Sequence, residues 1–523
     1  MRSSTRINHP ENRPRADSNH EEAESIEIGY AALGLFILFG MSAAFYWHGF
    51  GPMGDADRYV SASLNWYEHG PFLGENHWAL RHLFVGPMAL SFAVLGPSEF
   101  AATAPNIFYA AALVAVTFFF GRRYLGVCEG LIAGGLIAIS AFFVARPMEI
   151  GVYGPEIFFG STATWLFVCA QIERRRAALL IGAGLFAGLA WTIREQTIFL
   201  IITFGLLTLG MRRQAVVSLT ALAVGFGAIL LAEWIAYWLA AGDPFYRYKV
   251  DLHHTSTGWA TLDAARDPIV AKIFRPFKDL FTDPITTPIM VLAAIVAILL
   301  PPSIFIQPPA RRIVIISFGF ASIAAVIVSA YGFDLALPRY YPILPYSACL
   351  LLGVNLAAVA RIRGRWPAWF LLALIVLLNA AGEDFNSYNE YNESRRLAEL
   401  AWKIEEPIYT DPLTASRTRH LLRLARMPQV EIAERIKSEE VIPGEALFFK
   451  AEATKIRGED WCVLLRDDVR PVNWTHALIR RLGVAPLMGK KVEEIVSRPQ
   501  PVELVRVLPE TSAAAPVASE KCL

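Results

Sequence analysis

Over its first three quarters the chain alternates long apolar runs with short polar segments, and the runs approach the roughly 20 residues that cross a bilayer as a helix. Runs read as spans lie at Ile28–Trp47 and at 100–120, 127–145, 157–172, 178–193, 197–210, 215–240, 286–305, 313–331, 341–359 and 367–381, about eleven in all. Leu83–Leu95 is too short to cross and is broken by Gly86-Pro87, so it reads as a re-entrant or juxtamembrane helix.

Arginines cluster at Arg122-Arg123, Glu173–Arg176, Arg212-Arg213, Arg311-Arg312 and Arg361–Arg365, each between apolar runs, and loops of that kind stay on the cytoplasmic side. With an odd number of spans and the amino terminus inside, the loops 49–81 and 242–283 and everything after about Glu383 fall outside. Polar chemistry therefore belongs to the exported face.

After Gly382 the pattern becomes that of a soluble unit. Strand-like runs at Pro407–Thr410, Ala446–Phe449, Trp461–Leu465 and Val502–Leu508 alternate with helical patterns at Thr414–Arg426 and Trp474–Leu482. Asp411 before Pro412 reads as a helix N-cap. The expected organisation is a disordered cytoplasmic tail at 1–27, an all-α polytopic membrane domain at 28–381, a small exported α/β domain at 382–510 and a disordered tail at 511–523.

Composition narrows the function. Charged residues make up 18% of the 523, against roughly 25% in soluble chains, and mean hydropathy is +0.40. A net charge of +1 excludes the broad basic field that nucleic-acid binding requires. Five cysteines show no C-x-x-C spacing, and Cys462 and Cys522 are the candidates for a bridge in the outer segment. Arg far outnumbers Lys and Ala is abundant, which fits a bacterial chain, hence an inner membrane with the carboxyl-terminal domain in the periplasm. No internal repeat is visible, which counts against an inverted-repeat transporter.

Candidate chemistry gathers in the outer loops. Gly54-Asp55-Ala56-Asp57-Arg58-Tyr59 puts two acids at the membrane surface, where they either share a divalent cation or leave one acid as a general base. The plain alternative is an N-cap acid with a solvated neighbour. The same loop ends at Arg81, a cation able to hold a lipid-linked phosphate, although an interfacial Arg is also an ordinary snorkelling anchor. Arg146, Glu149 and Glu156 follow between two spans, with Arg146 and Glu149 spaced to pair and Glu156 at a helix start. Arg194-Glu195-Gln196 forms a charged exported turn, and Arg339 sits between Pro338 and Pro342 at an exported mouth. His253-His254, near Asp251, do not imply a shared metal.

In order and in placement these segments resemble the GT-C superfamily of integral membrane glycosyltransferases, in particular the branch with protein O-mannosyltransferases and the lipid A aminoarabinose transferase. The carriers, all within 28–381, are Asp55–Tyr59, Arg81–Pro87, Gly121–Gly126, Gly188–Arg194 and Pro338–Pro342. The resemblance implies transfer of a sugar, with inversion, from a polyprenyl-phosphate donor to an acceptor lipid, glycan or protein on the exported side. It implies Asp55 or Asp57 as the catalytic acid, and Arg81 and Arg339 as contacts for the donor phosphate. Glu156, Arg58, Tyr59, Arg194 and Tyr340 are then substrate-binding residues. A divalent cation, Mg or Mn, on Asp55 and Asp57 stays open. Two departures stand out: Asp55-Ala56 replaces the usual Asp-Glu, and His82-Leu83-Phe84 replaces consecutive prolines. The competing readings are a transporter or flippase for a lipid-linked saccharide, and a noncatalytic scaffold.

Overall fold

The computed structural model describes residues 18–47, 55–173, 176–210, 215–256, 269–299, 308–332, 337–386, 391–425, 430–438, 446–451, 461–469, 473–488, 492–493, 496 and 501–507. Helix α1 (Ser18–Tyr46) is followed by α2 (Ala56–His69), α3 (His82–Leu95), α4 (Glu99–Tyr124), α5 (Val127–Ile139) and α6 (Ala141–Met148). Then come α7 (Tyr153–Ile172), α8 (Arg176–Ile193), a 3-10 turn at Glu195–Ile198, α9 (Phe199–Leu209), α10 (Ala215–Ala241) and α11 (Tyr246–Ser256). Helices Ile269–Thr282, Thr287–Leu299, Pro309–Val326, Ile343–Arg363 and Arg365–Asn386 complete the membrane domain.

Among the described residues seven helices are long and apolar enough to cross a membrane, and up to nine runs qualify if each of two bent pairs counts once. One pair is α5 and α6, bent by 40° at Ser140, whose backbone is extended. The other bends by 108° between Phe274–Thr282 and Thr287–Ile298, where Asp283 precedes Pro284 and helix is disfavoured. The expected runs 157–172 and 197–210 correspond to α7 and to Glu195–Leu209 and bring the reading to eleven. Helix α7 is buried along most of its length and carries Glu156, so it depends on its neighbours rather than on its own hydropathy. Glu195–Leu209 is simply short. Helix α1 starts at Ser18, inside the stretch expected to be a disordered tail; Ser18 with Glu21 three residues on is a capping-box spacing, and Glu and Ala follow. Residues 1–17 lie outside the described set.

Close helix crossings fix the positions of the turns between helices. A Cβ on Gly184 would meet the Leu222 carbonyl oxygen at 2.3 Å, and one on Gly225 would meet the Ile181 carbonyl oxygen at 2.1 Å. Helices α8 and α10 therefore touch backbone to backbone, with Gly184 and Gly188 in the small-xxx-small spacing that membrane helices use for close approach.

The carboxyl-terminal domain carries a five-stranded sheet in the order β2-β1-β3-β5-β4, from β1 (Ile408–Thr410), β2 (Ile436–Ser438), β3 (Leu447–Lys450), β4 (Trp461–Asp468) and β5 (Pro501–Val507). β1 pairs in parallel with β2 and β3, and β5 pairs antiparallel with β3 and β4. Leu397, Leu400, Ile408, Leu422, Phe449 and Leu504 form its own apolar core. Asp411 caps the Pro412–Leu424 helix, accepting from the Leu413 and Thr414 amides at 3.1 and 2.9 Å. Cys462 is disulfide-bonded, and Cys522, its expected partner, lies outside the described residues.

The two domains are joined at specific contacts. Asp384, at the end of the last apolar helix, accepts from the Thr475 amide at 2.8 Å and so caps the Trp474–Leu482 helix from outside it. Arg395 makes a bidentate pair with Glu99 at the start of α4, at 2.9 and 2.6 Å.

Candidate active site

Helix α2 begins at Asp55, whose carbonyl accepts from the Arg58 and Tyr59 amides. Its side chain makes no capping hydrogen bond and is exposed, so this carboxylate is not spent on the helix start. Asp57 stands two residues on, and side chains two apart on a helix do not face each other. Asp57 is half-buried with Oδ1 unpartnered, and the nearest cations acting on it are Arg417 of the carboxyl-terminal domain and Arg58. Burial raises its pKa despite both arginines. Among the described residues no group of three or more His, Cys, Asp or Glu side chains gathers as a metal site.

Tyr59 is buried one helical turn from Asp55, and its hydroxyl accepts a hydrogen bond from the Arg81 guanidinium. Burial pushes this hydroxyl up to about 12, with Arg81, Asp55 and Arg194 all acting on it. Arg81 is set by the loop before it. Asn76 caps that loop by accepting from the Ala79 amide at 3.0 Å, Tyr237 donates to the Leu80 carbonyl at 3.4 Å, and Tyr246 donates to the Gly74 carbonyl at 3.2 Å. Where consecutive prolines were expected, His82 instead lies between Trp66 and Tyr237, with ring centroids at 5.5 and 5.7 Å.

Facing these residues is a second cluster. Glu156, buried in the first turn of α7, accepts from Arg194 at 2.6 Å and from Gln196 at 3.1 Å. Gln196 also donates to the Tyr340 carbonyl at 2.5 Å, and Arg194 to the Arg339 carbonyl at 3.3 Å. The Arg194 guanidinium lies over the Tyr153 and Tyr340 rings at 4.8 and 5.2 Å. Arg339 packs over Tyr340 at 5.2 Å and donates to its hydroxyl at 3.4 Å. Glu156, Arg194, Arg339 and Tyr340, far apart in sequence, form one network, and the fields of Arg81 on Glu156 and of Arg194 on Tyr59 join it to the first loop.

Arg58 faces elsewhere, stacked over Trp78 at 3.8 Å. Arg146 and Glu149 pair at 2.8 Å, as their spacing suggests. His253-His254 lie on helix α11 rather than a strand, and their side chains are outside the described residues.

A neighbouring group was missed by the sequence reading. Arg247 of α11 is buried and bonds to Glu195, to Glu233 at 2.7 Å and to the Trp191 carbonyl at 3.4 Å, with Asp251 at 3.6 Å. It locks the turn that carries Arg194. Burial and the adjacent Glu195 push Asp251 up. The available signal was Glu233, an acid within the apolar run 215–240, since charges at that depth are rarely idle.

Residues 87–238 match the family model described as dolichyl-phosphate-mannose-protein mannosyltransferase. The matched segment holds Glu156, Arg194 and Gln196, whereas Asp55, Arg81 and Arg339 lie outside it. Among solved structures, ArnT from Cupriavidus metallidurans in the apo state is similar at 13% identity and a TM-score of 0.47, over 92% of this chain and 98% of that one. ArnT bound to undecaprenyl phosphate is similar at 13% identity and a TM-score of 0.44, with the same coverage. The oligosaccharyltransferase AglB from Archaeoglobus fulgidus, in complex with an inhibitory peptide and a dolichol-phosphate, is similar at 10% identity and a TM-score of 0.41. That match covers 74% of this chain and 63% of AglB, so the chain spans less than two thirds of the archaeal enzyme's length. No curated protein sequence matches.

Proposed function

We propose that this GT-C-like protein transfers a sugar from a polyprenyl-phosphate donor to a hydroxyl acceptor on the exported face, with inversion at the anomeric carbon. The observation that carries the reading is the exposed Asp55 carboxylate, unspent on capping, beside the Tyr59–Arg81 pair and opposite the Glu156–Arg194–Tyr340 network. In this reading Arg81 and Arg339 hold the donor phosphate through charge-assisted hydrogen bonds. The acceptor oxygen attacks the anomeric carbon, the bond from that carbon to the phosphate oxygen breaks, and polyprenyl phosphate leaves carrying the electron pair. Asp55 takes the acceptor proton. Glu156 acts by fixing Arg194, whose guanidinium and the Tyr340 ring line the sugar site. Asp57, which feels the charge of Arg417, is assigned to domain contact rather than to proton transfer. The disulfide at Cys462 supports an oxidising, exported location for the carboxyl-terminal domain, the periplasm in a bacterial inner-membrane setting.

The test is mass spectrometry of membrane lipids from cells lacking the protein, complemented with wild type or with Asp55→Asn. Accumulation of one polyprenyl-phosphate sugar in the null and in Asp55→Asn, but not in wild type, is expected and names the donor by mass. Wild-type lipid levels in Asp55→Asn, with the protein expressed normally, would overturn the assignment.

A further inference from the structure

A cavity of about 550 Å³ lies on the side of α2 lined by Arg58, walled by α2, the loop 72–79 and the Pro412–Leu424 helix of the carboxyl-terminal domain. Its volume is that of a ligand site, for which roughly 300–1,000 Å³ is usual. It starts at Arg58, three residues from Asp55, and follows α2 to His69, about 16 Å at 1.5 Å per residue. It also meets Arg423, which lines a second cavity of about 290 Å³ reaching Lys437 of β2 in the carboxyl-terminal domain.

The lining says what would fit. Asn65 Oδ1 accepts from His69 Nδ1 at 2.8 Å, and Asn76 Oδ1 accepts from the Ala79 amide at 3.0 Å. With their oxygens so engaged, both asparagines keep their side-chain N–H groups as donors. Arg58 and Arg423 add fixed donors, and Phe72 contributes the aromatic surface. Donors and acceptors, with the carboxylates of Glu68 and Glu75 among the acceptors, share the lining with apolar surface from Leu64, Phe72 and Ala79, a mixture that suits the hydroxyls and ring faces of sugars. An acyl chain would leave the polar groups unpaired. A peptide backbone recognised by strand addition would need a sheet edge, and the larger cavity is built from helices and a loop.

We propose that the two cavities act as one track past Arg423, that this track is the acceptor site and that the acceptor is a glycan chain, laid along α2 with its terminal hydroxyl at Asp55. This rests on the transferase reading above and gives the carboxyl-terminal domain a binding role. The chain leaves over Arg423 onto the outer domain, so an acceptor of several sugar units engages both domains while its reacting end stays at the membrane surface.

The experiment uses the purified full-length protein on an array of immobilised di- to hexasaccharides, with binding of undecaprenyl phosphate measured in parallel on the same preparation. Wild type should capture a defined set of oligosaccharides, and Arg423→Glu and Asn65→Trp should each weaken that capture by about tenfold or more. Both variants should bind undecaprenyl phosphate within twofold of wild type, which also shows that they are folded. No captured oligosaccharide, or capture indifferent to both substitutions, would overturn the glycan track. Loss of undecaprenyl phosphate binding by wild type itself would instead strike the donor reading, so the two failures are distinguishable.

Discussion

Among the described residues, Asp55 and Asp411 each stand just before a helix and behave differently. Asp411 spends its carboxylate on two backbone amides, whereas Asp55 occupies the same position of α2 and spends none. A general base contributes roughly 10²–10⁴-fold, so Asp55→Asn is expected to lower single-turnover transfer by that factor, while Asp57→Asn lowers it less than tenfold. Quenched-flow assay of both variants checks this, and equal losses would contradict the division of roles. Arg194 is tied to Glu156 in a buried pair, and removing one partner leaves an unpaired buried charge. Arg194→Ala should cost about 3–5 kcal/mol of stability, read by denaturation in detergent. His420 gives a pH signature: burial holds its folded pKa at about 4, against 6.5 for an exposed imidazole. Between those values the unfolded chain binds a proton that the folded chain does not, so stability falls as pH drops from 6.5 and levels off below about 4. The full loss is about 3 kcal/mol, and His420→Gln should shrink it in thermal melts taken across that range.

At the scale of elements, the α8–α10 crossing sets the turn that carries Arg194 and Glu195. Gly225→Leu cannot be absorbed there, because the obstruction is backbone rather than a flexible side chain. Such a variant should lose transfer by tenfold or more and melt at lower temperature, whereas Gly227→Leu, with nothing within 4 Å of an added Cβ, should do neither. Most elements were legible because their apolar runs are well separated by polar segments: α4, α8 and α10 follow from long runs, and four of the five strands from short ones. β2 was missed because three residues carry too little pattern, and α1 began early because local helix propensity extends past the apolar run. Asp55, Arg81, Glu156, Arg194 and Arg339 stood out as charges beside apolar runs. The joining of Glu156, Arg194 and Arg339 through Gln196 and backbone carbonyls, and the support from Arg247, are tertiary facts that no local pattern encodes.

At the scale of the whole molecule, the carboxyl-terminal domain is fastened to the membrane domain at Asp384 and at the Glu99–Arg395 pair. Asp384→Ala removes a capping contact worth about 1 kcal/mol, so amide hydrogen exchange over 474–482 should accelerate several-fold with the membrane helices unchanged. Unaltered exchange would show the domains to be coupled elsewhere. The central claim is that Arg81, together with Arg339 of the Glu156 network, holds a polyprenyl phosphate. Its most direct test is equilibrium binding of undecaprenyl phosphate to purified wild type, Asp55→Asn and Arg81→Ala in lipid nanodiscs. The account predicts near-wild-type affinity for Asp55→Asn and a loss of about 10- to 100-fold for Arg81→Ala, the worth of one charge-assisted hydrogen bond. Undiminished binding by Arg81→Ala would contradict it.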